Sequence, residues 1–282
     1  MLPLNLPNVR PWWARVRPTA RYLAETEAHV YALAVSASVL LAFFPFLTVM
    51  VSLCRDVLHW HAAEQAIYLA VNDFFAGPAG ARIAYHLSLG EWYIHKLTFT
   101  SMFLLLFTAN GIFEPLEVAL NRAWGVTVNR SYLKNQAISL GLILACGALA
   151  LLSLMLTALG GQFLAGATGI MAHIDAFMQR LFFKLAAIPV SMFALFLVYW
   201  LLPNRKIEPA RVAPVAIVVG MILELLKYLA LLIWPYFADK LKNEYNIFQH
   251  SVTILLWSFV ASLIVLAGAE WTARRDRADP LS

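Results

Sequence analysis

Glu224 and Lys227 are the residues of this chain whose types and spacing most clearly could do chemistry. They lie inside VAPVAIVVGMILELLKYLALLIW, residues 212–234, a run long and apolar enough to cross a bilayer. Three residues apart on a helix, they share one face. By helical rise, Glu224 is about 18 Å in from Val212 and Lys227 about 10 Å in from Trp234, so neither is near an end. Either charge placed there alone costs about 2.5–3.5 kcal/mol. The face carrying both should therefore look at other helices or at water, not at lipid. The pair is then either a buried ion pair holding helices together or part of a polar path through the membrane.

Other polar residues fall near the same kind of run. Glu270 ends the last apolar stretch just before Arg274 and Arg275, where an interfacial ion pair or a place in the same cavity would suit it. Asn110, and Asn121-Arg122 beyond it, could face that cavity; Asn110 equally suits a hydrogen bond between helices. Glu114 and Glu117 share a helix face with Asn121. Pro45 in FFPF and Pro189 each remove a helical hydrogen bond and permit a kink. His59-x-His61 has too few partners nearby in sequence for a metal site, which needs a third and fourth ligand. There is no HExxH, GxSxG or P-loop, so no catalytic residue, metal or cofactor is expected.

The elements that must position these residues follow from composition. The chain has 282 residues, 61% hydrophobic and 13% charged, with a mean hydropathy of +0.71. Soluble domains are about 45–50% apolar and carry about twice that charge. This is an all-α, polytopic membrane protein. The pI near 9.3 does not point to nucleic acid, because the cations sit in short runs between apolar spans, as orientation signals do. Cys54 and Cys146 read as small buried residues rather than a disulfide. The first apolar run begins only near Val30 and is too long for a signal-peptide core.

Six spans are predicted, at about 30–54, 97–113, 137–164, 181–202, 212–234 and 247–270. The segment 1–29, the loops 114–136 and 203–211 and the tail 271–282 hold thirteen Lys and Arg, against seven on the opposite side, which puts both ends in the cytoplasm. In 1–29, Trp12 and Trp13 suit a start lying on the membrane surface. In the insert 55–96, Ile67, Tyr68, Val71, Phe74 and Phe75 recur at helical spacing opposite Glu64, Gln65, Asn72 and Asp73, until Gly77-Pro78 breaks the pattern. One or two amphipathic helices lying on the outer face or capping the bundle are expected there.

Four landmarks occur in order. LLAFFPFLTVMVSL (40–53) resembles the first-span motif of the YihY/BrkB family of bacterial inner-membrane proteins, once labelled ribonuclease BN and also called virulence factor BrkB. FEPLEVALNRAWGV (113–126), with Asn121, Arg122 and Gly125, resembles its second-span exit. YWLLPNRKIEPARVAPVAIVVGMILELLKYL (199–229) is similar to its Leu-Pro-Asn turn, here Pro203 and Asn204, followed by a Glu-x-x-Lys span. LLWSFVASLIVLAGAEWTARR (255–275) is similar to its closing span. The chain departs from the family where VSASV (35–39) replaces a tyrosine pair, and where Asn246 follows Tyr245 in place of glycine. The resemblance implies a multi-pass protein of the bacterial cytoplasmic membrane, with suggested links to envelope lipid handling and ion tolerance.

Two functions are consistent with these residues. One is transport or lipid handling through a polar cavity lined by Glu224 and Lys227. The other is a non-catalytic scaffold that docks an extracytoplasmic protein through 55–96. Membrane lipids are the expected partners in both, nucleic acid is not, and the oligomeric state is open. Ribonuclease chemistry has no acid–base or metal constellation to support it.

Overall fold

The computed structural model of the protein describes residues 12–74, 78–88, 94–127, 130–162 and 188–278. Every regular element among them is a helix. In order they are α1 (Trp12–Glu25), α2 (Ala28–Ser52), α3 (His61–Phe74), α4 (Pro78–Ser88), α5 (Ile94–Trp124), α6 (Tyr132–Gln162), α7 (Ile188–Leu201), α8 (Pro209–Tyr245) and α9 (Gln249–Ala278). A π-helical turn, Leu53–Val57, extends α2.

Five of these are long and apolar enough to cross a membrane: Ala28–Val57, Thr100–Trp124, Tyr132–Ser153, Pro209–Ala230 and Gln249–Asp276. Ile188–Leu201 is a shorter apolar helix. The expected fourth span began at 181, and residues 181–187 lie outside the described residues, as do 163 and 164 of the expected third. Pro189 stands in the first turn of α7, so the kink expected there falls at the edge of what is described. Helix α2 runs unbroken through the buried Pro45.

Two helices run on beyond the spans expected from the sequence. α5 does not end at Phe113 but continues to Trp124. Leu116, Ala119, Leu120 and Ala123 keep the helical repeat and are all buried, so packing carries the helix past the charges at Glu114 and Glu117. α8 does not end at Trp234 but reaches Tyr245, because 236–245 contains good helix formers and Leu241 finds a buried place.

Gly125 ends α5 with φ of 66°, a left-handed conformation glycine adopts freely. Val126 N–H donates to the Asn121 carbonyl and Gly125 N–H to the Arg122 carbonyl, the paired bonds of a Schellman cap. At the other junction, Pro209 opens α8 at a position where a missing N–H is harmless.

The main core joins α2, α5, α6, α7, α8 and α9 through residues such as Val35, Leu120, Leu142, Val198, Val215 and Ala269. Small residues let the helices approach. A Cβ on Gly111 of α5 would stand 2.5 Å from Ser38 Oγ of α2. One on Gly268 of α9 would stand 2.5 Å from both Tyr199 Oη of α7 and Val219 Cγ2 of α8.

A second core forms at the far end of α2, where Met50, Val51 and Cys54 meet Ala63, Ile67 and Val71 of α3 and Leu151 of α6. The insert therefore caps the bundle as two helices, with the apolar stripe of α3 turned inward. Phe75 and the Gly77 break lie outside the described residues. Both cysteines are free thiols.

Gly268→Ala is expected to lower stability by about 1–3 kcal/mol through overpacking. Tyr199 is held by its bond to the Val265 carbonyl, and neither it nor Val219 can move aside cheaply. Gly141→Ala, with open space around it, should be neutral or slightly stabilising. Unfolding midpoints of the two variants in detergent check the contrast.

Candidate functional site

The structure places the sequence-selected residues in two groups. Glu224 and Lys227 form an ion pair on α8, with Lys227 Nζ 2.7 Å from Glu224 Oε2. Contacts around Gly268 and between Arg211 and Asp276 fix α8 and α9 as antiparallel neighbours. Carried along the two helices, that register sets the pair opposite the middle of α9, far from either end.

The pair is not enclosed in the way the sequence implied. The Glu224 side chain is 20% exposed but that of Lys227 is 61% exposed. Neighbours on the same helix, Met221, Leu225 and Leu229, are exposed and apolar. The physical reason is placement: α8 packs through Val212, Val215, Ala216 and Val219, and among the described side chains none from Met221 to Lys240 is buried. Tyr228 partly compensates, its ring centroid 5.7 Å from the ammonium.

The second group lies at the end of the bundle where α1, the exits of α5 and α7, the start of α8 and the end of α9 meet. Glu270, only 5% exposed, accepts a 2.5 Å hydrogen bond from Thr19 Oγ1 of α1. Its other oxygen lies 3.7 Å from Arg274 Nε, the ion pair expected from the sequence. Arg275 turns instead to the Trp271 ring. Arg274 also donates to Thr19, so one threonine joins the start of the chain to its end.

Asn121 is buried and bridges two elements. Its Nδ2 donates to Glu117 Oε1 at 3.4 Å, and its Oδ1 accepts the Asn204 N–H at 2.8 Å. The two asparagines singled out by motif therefore meet, 83 residues apart in sequence. Pro203 is buried beside them. Arg122 reaches the Thr26 carbonyl at the α1–α2 turn. Glu117 is 6% exposed, and its Oε2 has no hydrogen-bond partner among the described residues.

The remaining expectations separate. Asn110 is half-buried and has no hydrogen-bond partner among the described residues. Glu270 is engaged at the basic end, not with Glu224 and Lys227, so one continuous cavity holding all four is not what these residues form. Among the described residues, no three of His, Cys, Asp and Glu gather as metal ligands, and His61 instead faces Glu64 at 3.5 Å.

Sequence reasoning missed Thr19, Arg130 and Asp276. Arg130 donates to the carbonyls of Leu201, Leu202 and Pro203, closing the end of α7. Asp276 binds Arg211 and, at 3.4 Å, Arg205. A lone acid inside the basic run ARRDR was the one available signal for Asp276; nothing in the sequence marks Thr19.

A helical bundle with five membrane-length apolar helices and its polar ties collected at one end is a polytopic membrane protein. The family described as Virulence factor BrkB matches residues 19–280, and the chain belongs to that family. It is also 27% identical over 254 residues to a UPF0761 membrane protein of Chromohalobacter salexigens, covering 87% of this chain. The chain spans about 60% of the length of that curated relative. No solved structure matches it.

Asn121→Ala leaves the Asn204 N–H and the Glu117 carboxylate without their amide partner. A loss of about 1–3 kcal/mol is expected from those two buried groups. Asn121→Asp should also destabilise, because it sets a second carboxylate beside Glu117. Detergent unfolding midpoints measure both.

Proposed function

We propose that the protein is a transport or lipid-handling protein of the bacterial cytoplasmic membrane, with Glu224 and Lys227 as its polar site at mid-depth. One observation carries this reading: the Lys227 ammonium is paired yet open on its outer side. A purely structural ion pair would be expected to face other helices, where further hydrogen-bond partners can offset the cost of burying it. An ammonium reachable from the side of α8 can instead exchange Glu224 for the anionic group of a cargo, and Glu224 restores the pair when the cargo leaves. No covalent step is involved, and we assign the protein no enzymatic role.

The topology belongs to the same reading. Thr19 and Glu270 meet, so the first and last helices share one end of the bundle. An even number of crossings satisfies that contact, and α7 supplies the sixth. The excess of Lys and Arg at that end supports a cytoplasmic placement for it. A scaffold docking a partner through 55–96 draws less support, because α3 turns Ala63, Ile67 and Val71 onto α2 and α6 rather than outward.

Full-length protein in liposomes is expected to move ions or a labelled anionic lipid. Glu224→Gln with Lys227→Met should slow that movement about tenfold, the effect of losing roughly 1.4 kcal/mol, while the unfolding midpoint changes little. If the parent protein moves neither class, or the double variant moves cargo at the parent rate, the reading is wrong. In cells, green fluorescent protein fused after Ser282 should fluoresce, as a cytoplasmic end requires.

A further inference from the structure

The α7–α8 loop borders a hollow of about 490 Å³ at the basic end of the bundle. Its wall includes Trp124 of α5, Arg205 and Lys206 of the loop, Glu208 and Arg211 at the start of α8, and Asp276 of α9. A basic membrane face needs no explanation beyond orientation. The organisation of these cations does.

The loop is fixed from several directions. Arg130 holds the carbonyls of Leu201, Leu202 and Pro203. Asn121 holds the Asn204 N–H, and Trp200 Nε1 donates to the Ile207 carbonyl at 3.2 Å. Arg205 lies over the Trp124 ring at 5.8 Å. A loop so restrained loses little freedom when it binds, which is what a preformed site requires.

The charges in the hollow have separate roles. Asp276 is 12% exposed and is engaged by both Arg205 and Arg211; Arg211 also pairs with Glu208 at 3.2 Å. These acids hold the arginines in place. Lys206 is exposed and has no carboxylate partner among the described residues. Three cations against two carboxylates leave a net positive hollow. The N-terminus of α8 borders it and adds partial positive charge.

We infer that this hollow is a phosphate-binding site, formed by Lys206 with Arg205 against Trp124, that takes the phosphate of an anionic phospholipid headgroup or a free phosphate. Arginine restrained by a carboxylate and an aromatic face offers its remaining donors in a fixed fork, and lysine adds a mobile point charge. The partly exposed Trp200, whose Nε1 holds the loop, suits the headgroup level, where a phospholipid phosphate lies. This site is separate from Glu224 and Lys227 and stands or falls independently of the proposed transport.

The test uses the detergent-solubilised full chain and its unfolding midpoint on titration with phosphatidylglycerol, phosphatidylcholine or inorganic phosphate. Phosphatidylglycerol is expected to raise the midpoint more than phosphatidylcholine does. Lys206→Gln, which breaks no ion pair among the described residues, should weaken the apparent affinity about tenfold, the loss of one charge-assisted hydrogen bond. Arg205→Gln should weaken it as well, and Lys134→Gln, an exposed cation outside the hollow, should leave it unchanged. A Lys206-dependent response to the lipid alone identifies the headgroup as the source, and one to inorganic phosphate identifies the soluble anion; both support the site. If Lys206→Gln responds as the parent does, if Lys134→Gln weakens binding equally, or if no probe moves the parent, the inference is overturned.

Discussion

A polar group that enters a hydrocarbon layer must bring its partner with it, because the surroundings supply none. That constraint orders this bundle. Thr19 caps Glu270, Asn121 takes up the Asn204 N–H, Tyr199 donates to the Val265 carbonyl, and Thr272 returns its hydroxyl to the Gly268 carbonyl. Each buried donor named here closes a bond within or between helices. What remains between them is apolar packing at close range, made possible by Gly111 and Gly268.

The ties are not spread evenly. Most of those that cross from one helix to another by way of charged side chains gather at one end, where α1, α5, the α7–α8 loop and α9 converge. There the ordering of long side chains is offset by several shared partners. Asp276 illustrates this, engaging two arginines from different elements. At the opposite end the same role falls to α3, whose apolar stripe covers Met50, Val51 and Cys54, while Glu64 links Arg55 and Tyr68 on the polar side.

Against this pattern Lys227 stands apart. Its partner is local, on the same helix face, and its outer side is uncovered. Thr19, Asn121 and Tyr199 meet partners on other elements, whereas the Lys227 ammonium is met only from its own helix. Membership of the BrkB family assigns the chain to a class of membrane proteins without naming the work done. The reading as a transport or lipid-handling protein therefore rests on this open ammonium.

Hydropathy alone determined the class of the fold, because membrane crossing depends on length and composition, which are local properties. It also located Glu224 and Lys227 as an i,i+3 pair and Glu270 as the partner of Arg274, since helical spacing decides both. Helix ends were less legible. The charges at Glu114 and Glu117 resemble a span exit, yet buried Leu120 and Ala123 carry α5 onward to Gly125. The meeting of Asn121 with Asn204, of Thr19 with Glu270 and of Asp276 with Arg205 could not be read at all. Those contacts join residues far apart in sequence, and only the way the helices stack decides which distant groups become neighbours. The exposure of Lys227 was hidden for the same reason: composition says that a charge lies at mid-depth, but only packing says which face of the helix the bundle uses.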